Sequence, residues 1–142
     1  MAAGNTVKAK LESNVGFYVG DICYELPRED YDEIWGNQHN YEDGEYEVRE
    51  SKFAVGGTAY GDGEYEDQRG HRYGVDAGVI GIIPFELCKD KDIARLNQMG
   101  RFVEAKTANF ESDEGVFDID FDNGFNIHID TNAEEDDDYE ED

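Results

Sequence analysis

The chain has 142 residues, of which 38% are hydrophobic and 13% aromatic, enough to build one domain with a core and to exclude disorder throughout. Its 36 acidic and 12 basic residues give a net charge of −24. A surface of that sign repels phosphate backbones and anionic lipid and attracts basic surfaces, so direct binding to nucleic acid or membrane is not expected.

Residues 1–13 read as a loose, mildly basic arm, 14–132 as a single β-rich domain, and 133–142 as a disordered acidic tail. The tail, AEEDDDYEED, holds eight acids and no base, so the rest of the chain still carries 28 acids against 12 bases. The opening MAAGNTVKAK lacks an apolar segment, so no secretory signal is expected and the cytoplasm is the expected compartment. The run Val79-Ile80-Gly81-Ile82-Ile83 is far short of the ~20 apolar residues a membrane helix needs.

In chain order, Val15 to Tyr24 predicts a strand with Phe17, Val19 and Ile22 toward the core. Pro27 opens a short helix, where its missing N–H costs nothing; Tyr31, Ile34 and Trp35 share one face, and Gly36 stops it. Residues 37–44 read as a loop. Tyr46 and Val48 alternate with Glu45, Glu47 and Arg49, the pattern of a half-exposed strand. Lys52 to Tyr60 follows as a strand, with a bulge expected at Gly56-Gly57. Glu64-Tyr65-Glu66 alternates briefly between turns. Arg72 to Ile83 is the most apolar segment and is expected to be a central strand ended by Pro84. Asp90 or Asp92 caps a short helix with Ile93, Leu96 and Met99 inward and Gly100 as its stop. Arg101 to Phe110 reads as a further strand.

The final hairpin is legible in detail. Phe117, Ile119 and Phe121 alternate with acids, and Phe125, Ile127 and Ile129 alternate with Asn126, His128 and Asp130. A two-residue Asn123-Gly124 turn would break this match. A three-residue loop, Asp122-Asn123-Gly124, pairs Phe121 with Phe125, Ile119 with Ile127 and Phe117 with Ile129, and sets Asp118 opposite His128. The fold class expected is α+β and mainly β: an antiparallel curled sheet or sandwich of six or seven strands with two short helices.

Motifs for chemistry are few. His39, His71 and His128 form no HExxH, and Cys23 and Cys88 form no CxxC or zinc-type cluster. The two cysteines read as core thiols, with a single disulfide left open. The run Asp118-x-Asp120-x-Asp122-Asn123-Gly124 approaches a calcium loop but misplaces its glycine and has Ile129 where the final Glu belongs. No GxSxG and no phosphate loop occur. No cofactor, metal or catalytic residue is therefore expected. One polar pocket is a candidate: Asp21 and Asp76 lie in apolar segments and could converge with Tyr60 and Asp62, which would suit a small-ligand or enzymatic role.

The segments Tyr18-Val-Gly-Asp21-Ile-Cys23-Tyr24, Tyr60-Gly-Asp62-Gly-Glu-Tyr65 and Tyr73-Gly-Val-Asp76-Ala-Gly78-Val-Ile-Gly81 resemble signatures of uncharacterised small domains from bacteria and their phages. The likeness covers roughly residues 14–131. It implies a shared fold and carries no established activity.

The charge pattern suggests a binding surface. Side chains on one face of a strand repeat every ~6.6–6.8 Å, with the next strand ~4.8 Å away. Asp118, Asp120 and Asp122 would thus form one line of carboxylates, and Glu45 with Glu47 another, beside Glu42 and Asp43. Two adjacent lines would approach the phosphate density of a DNA strand, about one per 3.4 Å. The leading expectation is an acidic protein-binding module that occupies the basic channel of a nucleic-acid-binding host enzyme. It would act as a DNA-mimic inhibitor of the anti-restriction or anti-CRISPR type. An immunity or accessory protein for another target, and the ligand pocket above, are the alternatives.

Overall fold

The computed structural model describes residues 6–26, 29, 31–32, 44–48, 51–58, 63–75, 78–89, 91–113 and 115–131. Among these, eleven strands form three antiparallel sheets. The strands are β1 (Val7–Glu12), β2 (Phe17–Gly20), β3 (Gly44–Val48), β4 (Ser51–Gly57), β5 (Gly63–Glu66), β6 (Arg72–Val75), β7 (Val79–Pro84), β8 (Arg101–Val103), β9 (Thr107–Asp113), β10 (Val116–Phe121) and β11 (Asn126–Asp130). Helices α1 (Ile22–Glu25) and α2 (Ile93–Met99) and a 3-10 turn (Phe85–Leu87) lie among the strands. The mainly β, antiparallel expectation holds; the strands number eleven among the described residues, not six or seven, and they fall into three sheets.

The strand order is β1-β9-β10-β11 in the first sheet, β3-β4-β7-β2-β8 in the second, and β5-β6 in the third. Alternation decides which side chains go where. Leu11, Phe110, Phe117, Ile119 and Ile127 from the first sheet meet Phe17, Val19, Ala54, Ile80 and Ile82 from the second in one core. The opposite face of the second sheet, with Tyr18, Phe53, Val55 and Ile83, packs on Ile22, Leu26, Leu87 and Leu96. That sheet is apolar on both faces because it is covered on both, which is why β2 and β7 read as unbroken apolar runs. β7 lies in its middle and ends at Pro84, as expected.

Several boundaries differ from the sequence reading. Residues 7–12 of the supposed arm form β1, paired along its whole length with β9, and Val7, Ala9 and Leu11 are buried. The alternation of Val-Lys-Ala-Lys-Leu-Glu was masked by the weak apolar weight of its central alanine. The first predicted strand stops at Gly20, and Ile22 to Glu25 turn into α1. The segment from Arg72 to Ile83 is two strands in different sheets, and Gly78, just before the second, has φ +76°. The segment from Arg101 to Phe110 is likewise divided into β8 and β9.

No bulge forms at Gly56-Gly57, since pairing runs without a break from Ala54↔Ile82 to Gly57↔Val79. The glycine serves packing instead: a Cβ on Gly56 would lie 2.0 Å from Ser112 Oγ and 2.6 Å from Ser112 Cβ, in the facing sheet. In α2, Asp92 caps through its side chain to Ala94 N at 3.1 Å, and Leu96 is buried, but Ile93 is 43% exposed. The helix expected from Pro27 to Gly36 and the tail at 133–142 lie mostly or wholly outside the described residues.

The final hairpin follows its predicted register: Phe117↔Ile129, Asp118↔His128 and Ile119↔Ile127. Phe121 N donates to Phe125 O at 3.0 Å and Gly124 N to Phe121 O at 3.1 Å, closing the three-residue loop with Gly124 at φ +90°. At the same end of the first sheet, Glu86 accepts from Ser13 Oγ and Asn14 N, both at 2.7 Å. Partial burial opposes ionisation of Glu86, but these two hydrogen bonds outweigh it and hold the carboxyl below its ordinary range.

Candidate functional site

The outer face of the first sheet carries the carboxylates singled out from the sequence. β10 alternates buried Phe117, Ile119 and Phe121 with Asp118 and Asp120, and Asp122 follows in the exposed turn. Strand register converts these positions into two rows. One runs Lys8, Glu111, Asp118, His128; the other runs Lys10, Asn109, Asp120, Asn126. An open groove of about 360 Å³ crosses them, lined by Lys8, Lys10, Asn109, Glu111, Asp118 and Asp120.

These carboxylates have partners. Lys8 Nζ lies 3.3 Å from Glu111 Oε2, and His128 Nδ1 lies 2.7 Å from Asp118 Oδ1. Asp120 accepts from Asn126 Nδ2 at 2.9 Å, and Asp122 from Lys106 N at 3.1 Å. Such exposed pairs add little stability. Each carboxylate has about four acceptor positions, so one hydrogen bond leaves capacity for another partner.

The remaining acids follow the same pattern. On β3, Glu45 and Glu47 flank buried Tyr46, and Glu45 lies 3.7 Å from Lys52. On β5, Glu64 and Glu66 are both reached by Arg72 at 3.3 Å. Glu42 and Asp43 lie outside the described residues. Asp118 and Asp120 share one face of β10, whereas Asp122 lies in the turn beyond it, and cations and amides stand beside these acids on the neighbouring strands. Asn109 and Asn126 stand where a second continuous acidic line beside β10 would need carboxylates.

Of the candidate pocket, Asp21 is fully buried, with Tyr18 Oη donating to its backbone oxygen at 3.3 Å. Tyr60, Asp62 and Asp76 lie outside the described residues. Cys88 is a buried thiol whose Sγ lies 3.7 Å from Pro84 O. Among the described residues no group of three or more His, Cys, Asp or Glu is placed to hold a metal ion, and no helix is long and apolar enough to cross a membrane.

A further cluster has no counterpart in the sequence reading. Buried Asp67 accepts from Arg69 N at 2.9 Å, His71 N at 3.0 Å and Tyr73 Oη at 2.8 Å. Burial first, and the bond to Asp67 second, push the Tyr73 hydroxyl well above its ordinary pKa of 10.0. Above this anchored turn, the Arg69 guanidinium sits 4.2 Å from the Phe125 ring centre and that of Arg101 sits 4.9 Å from it. The Asp67 turn is local, but Arg101 and Phe125 come from distant parts of the chain, so no local motif announces their meeting with Arg69.

No family model, no curated protein and no solved structure matches the chain. The resemblance to small bacterial and phage domains thus rests on the quoted segments alone.

Proposed function

We propose that the chain is an acidic protein-binding module that engages a basic protein surface. The observation that carries this reading is a net charge of −24 on a chain whose strands hold exposed carboxylates in fixed positions, with Glu111, Asp118 and Asp120 sharing one sheet face. Fixed charges lose little freedom on binding, and a field of one sign speeds encounter with an oppositely charged partner.

The partner class that fits best is a nucleic-acid-binding enzyme, whose channel must be basic to hold phosphates. Occupying that channel would inhibit the enzyme with no catalysis by this chain. The interruptions at Lys8, Lys10 and His128 favour recognition by complementary charge pattern over imitation of an unbroken phosphate line. Such a pattern fixes the register of docking and rejects partners that lack the matching acids.

The test is affinity capture from a host lysate by the wild-type protein and by a variant carrying Glu111→Gln, Asp118→Asn and Asp120→Asn. The reading expects a basic protein retained by the wild type and lost with the variant. Equal capture by both would remove this face from the account.

A further inference from the structure

The Arg69–Arg101 pair is an anomaly of charge. On a chain at −24, two guanidiniums converge on one aromatic ring, and among the described residues neither has a carboxylate within salt-bridge distance. We propose that Arg69 and Arg101, with Phe125 between their two elements, form a binding site for the oxyanion of a small ligand, a carboxylate or a phosphate.

The site is built on fixed backbone. Arg69 lies in the turn between β5 and β6. That turn is held by the Asp67 carboxylate and tied to β11 by Gln68, which donates to Asn126 O and accepts from His128 N. Arg101 opens β8, paired with Val19 of β2. Phe125 is half-buried and packs against Phe121 at a centroid distance of 6.2 Å, so the ring is anchored in the core between the two main sheets. The two cations thereby reach the same ring from separate parts of the chain.

Like charges so placed repel, and the ring's quadrupole offsets only part of that cost, about 0.5–1 kcal/mol for each exposed contact. An oxyanion would remove the repulsion and take the forked N–H donors that guanidinium presents. Arg69 already donates through Nη1 to Asn126 O at 2.5 Å, which orients its plane and leaves further donors for a ligand. The negative field of the rest of the molecule disfavours loose anion adsorption, so saturable binding here would have to come from a specific site.

The experiment is a titration of the full chain with sodium phosphate, and separately with citrate, at fixed ionic strength and pH, followed by NMR shifts of residues 69, 101 and 125. Saturable shifts centred on these residues with either anion are expected. Arg69→Gln with Arg101→Gln should weaken the binding at least tenfold. Arg69→Lys, which keeps charge but loses the fork, should weaken it by a smaller factor. Response to phosphate alone marks a phosphorylated ligand and response to citrate alone a carboxylate; each supports the site. The proposal is overturned if both anions leave residues 69, 101 and 125 unshifted, or if a double variant with native spectral dispersion binds as tightly as wild type.

Discussion

Gln68 Oε1 accepts the backbone N–H of His128 at 2.8 Å, while Gln68 Nε2 donates to Asn126 O at 2.9 Å. One side-chain amide thus takes the place of a neighbouring strand's peptide group along β11, which is an edge of the first sheet. Edge strands expose pairing groups that invite other chains, and proteins commonly cover them. Replacing Gln68 with Ala should cost about 1 kcal/mol of stability, the net worth of hydrogen bonds at a partly wet edge. It should also raise concentration-dependent association. Denaturant unfolding and light scattering read the two effects separately.

Tyr73 gives an alkaline signature. Its phenol is fully buried, donates to Asp67, and has a folded-state pKa raised above 10.0. The unfolded chain therefore releases this proton first as pH rises. The stabilisation is fully present below pH 10 and is lost above it, at up to about 1.4 kcal/mol per pH unit for one proton. Tyr73→Phe should flatten the stability profile between about pH 10 and 11.5 by that one-proton slope. An unchanged slope would show that the buried phenol does not titrate on unfolding.

The same carboxylate predicts an effect at neutral pH. Asp67→Ala strips the acceptor from Arg69 N, His71 N and Tyr73 Oη together. Loss of bonds to a buried charged acceptor should cost about 3 kcal/mol, and the turn carrying Arg69 should loosen. Hydrogen exchange at residues 69–71 and urea unfolding check both halves.

Gly56 tests how closely the two main sheets approach. A methyl group there would fall within 2.6 Å of Ser112 Cβ and 3.0 Å of the Phe117 ring. Gly56→Ala should destabilise by about 1–3 kcal/mol through overpacking. Ser112→Gly should relieve part of that cost, giving a coupling of at least about 0.5 kcal/mol in a double-mutant cycle.

The extent to which the fold was legible depended on local pattern. The β10–β11 hairpin was readable because strict alternation on both arms admits only one loop length that keeps Phe117, Ile119, Ile127 and Ile129 inward. The cap at Asp92 and the stop at Pro84 are likewise short-range signals. What failed was long-range. Nothing local says that Val7–Glu12 pairs with a strand a hundred residues later, or that Arg72–Val75 leaves the sheet that Val79–Pro84 joins. At the surface, the alternation exposed Asp118 and Asp120 and the hairpin register set His128 beside Asp118, whereas Lys8 depends on register with a strand distant in the chain. The Arg69–Arg101–Phe125 cluster is wholly of that kind.

The proposed function turns on charge recognition, and its most direct measurement is the affinity for the captured basic partner as a function of salt. Affinity should fall at least tenfold between 50 and about 500 mM salt, with a shallower dependence for the Glu111→Gln, Asp118→Asn, Asp120→Asn variant. Affinity that stays constant across that range, in wild type and variant alike, would contradict the account.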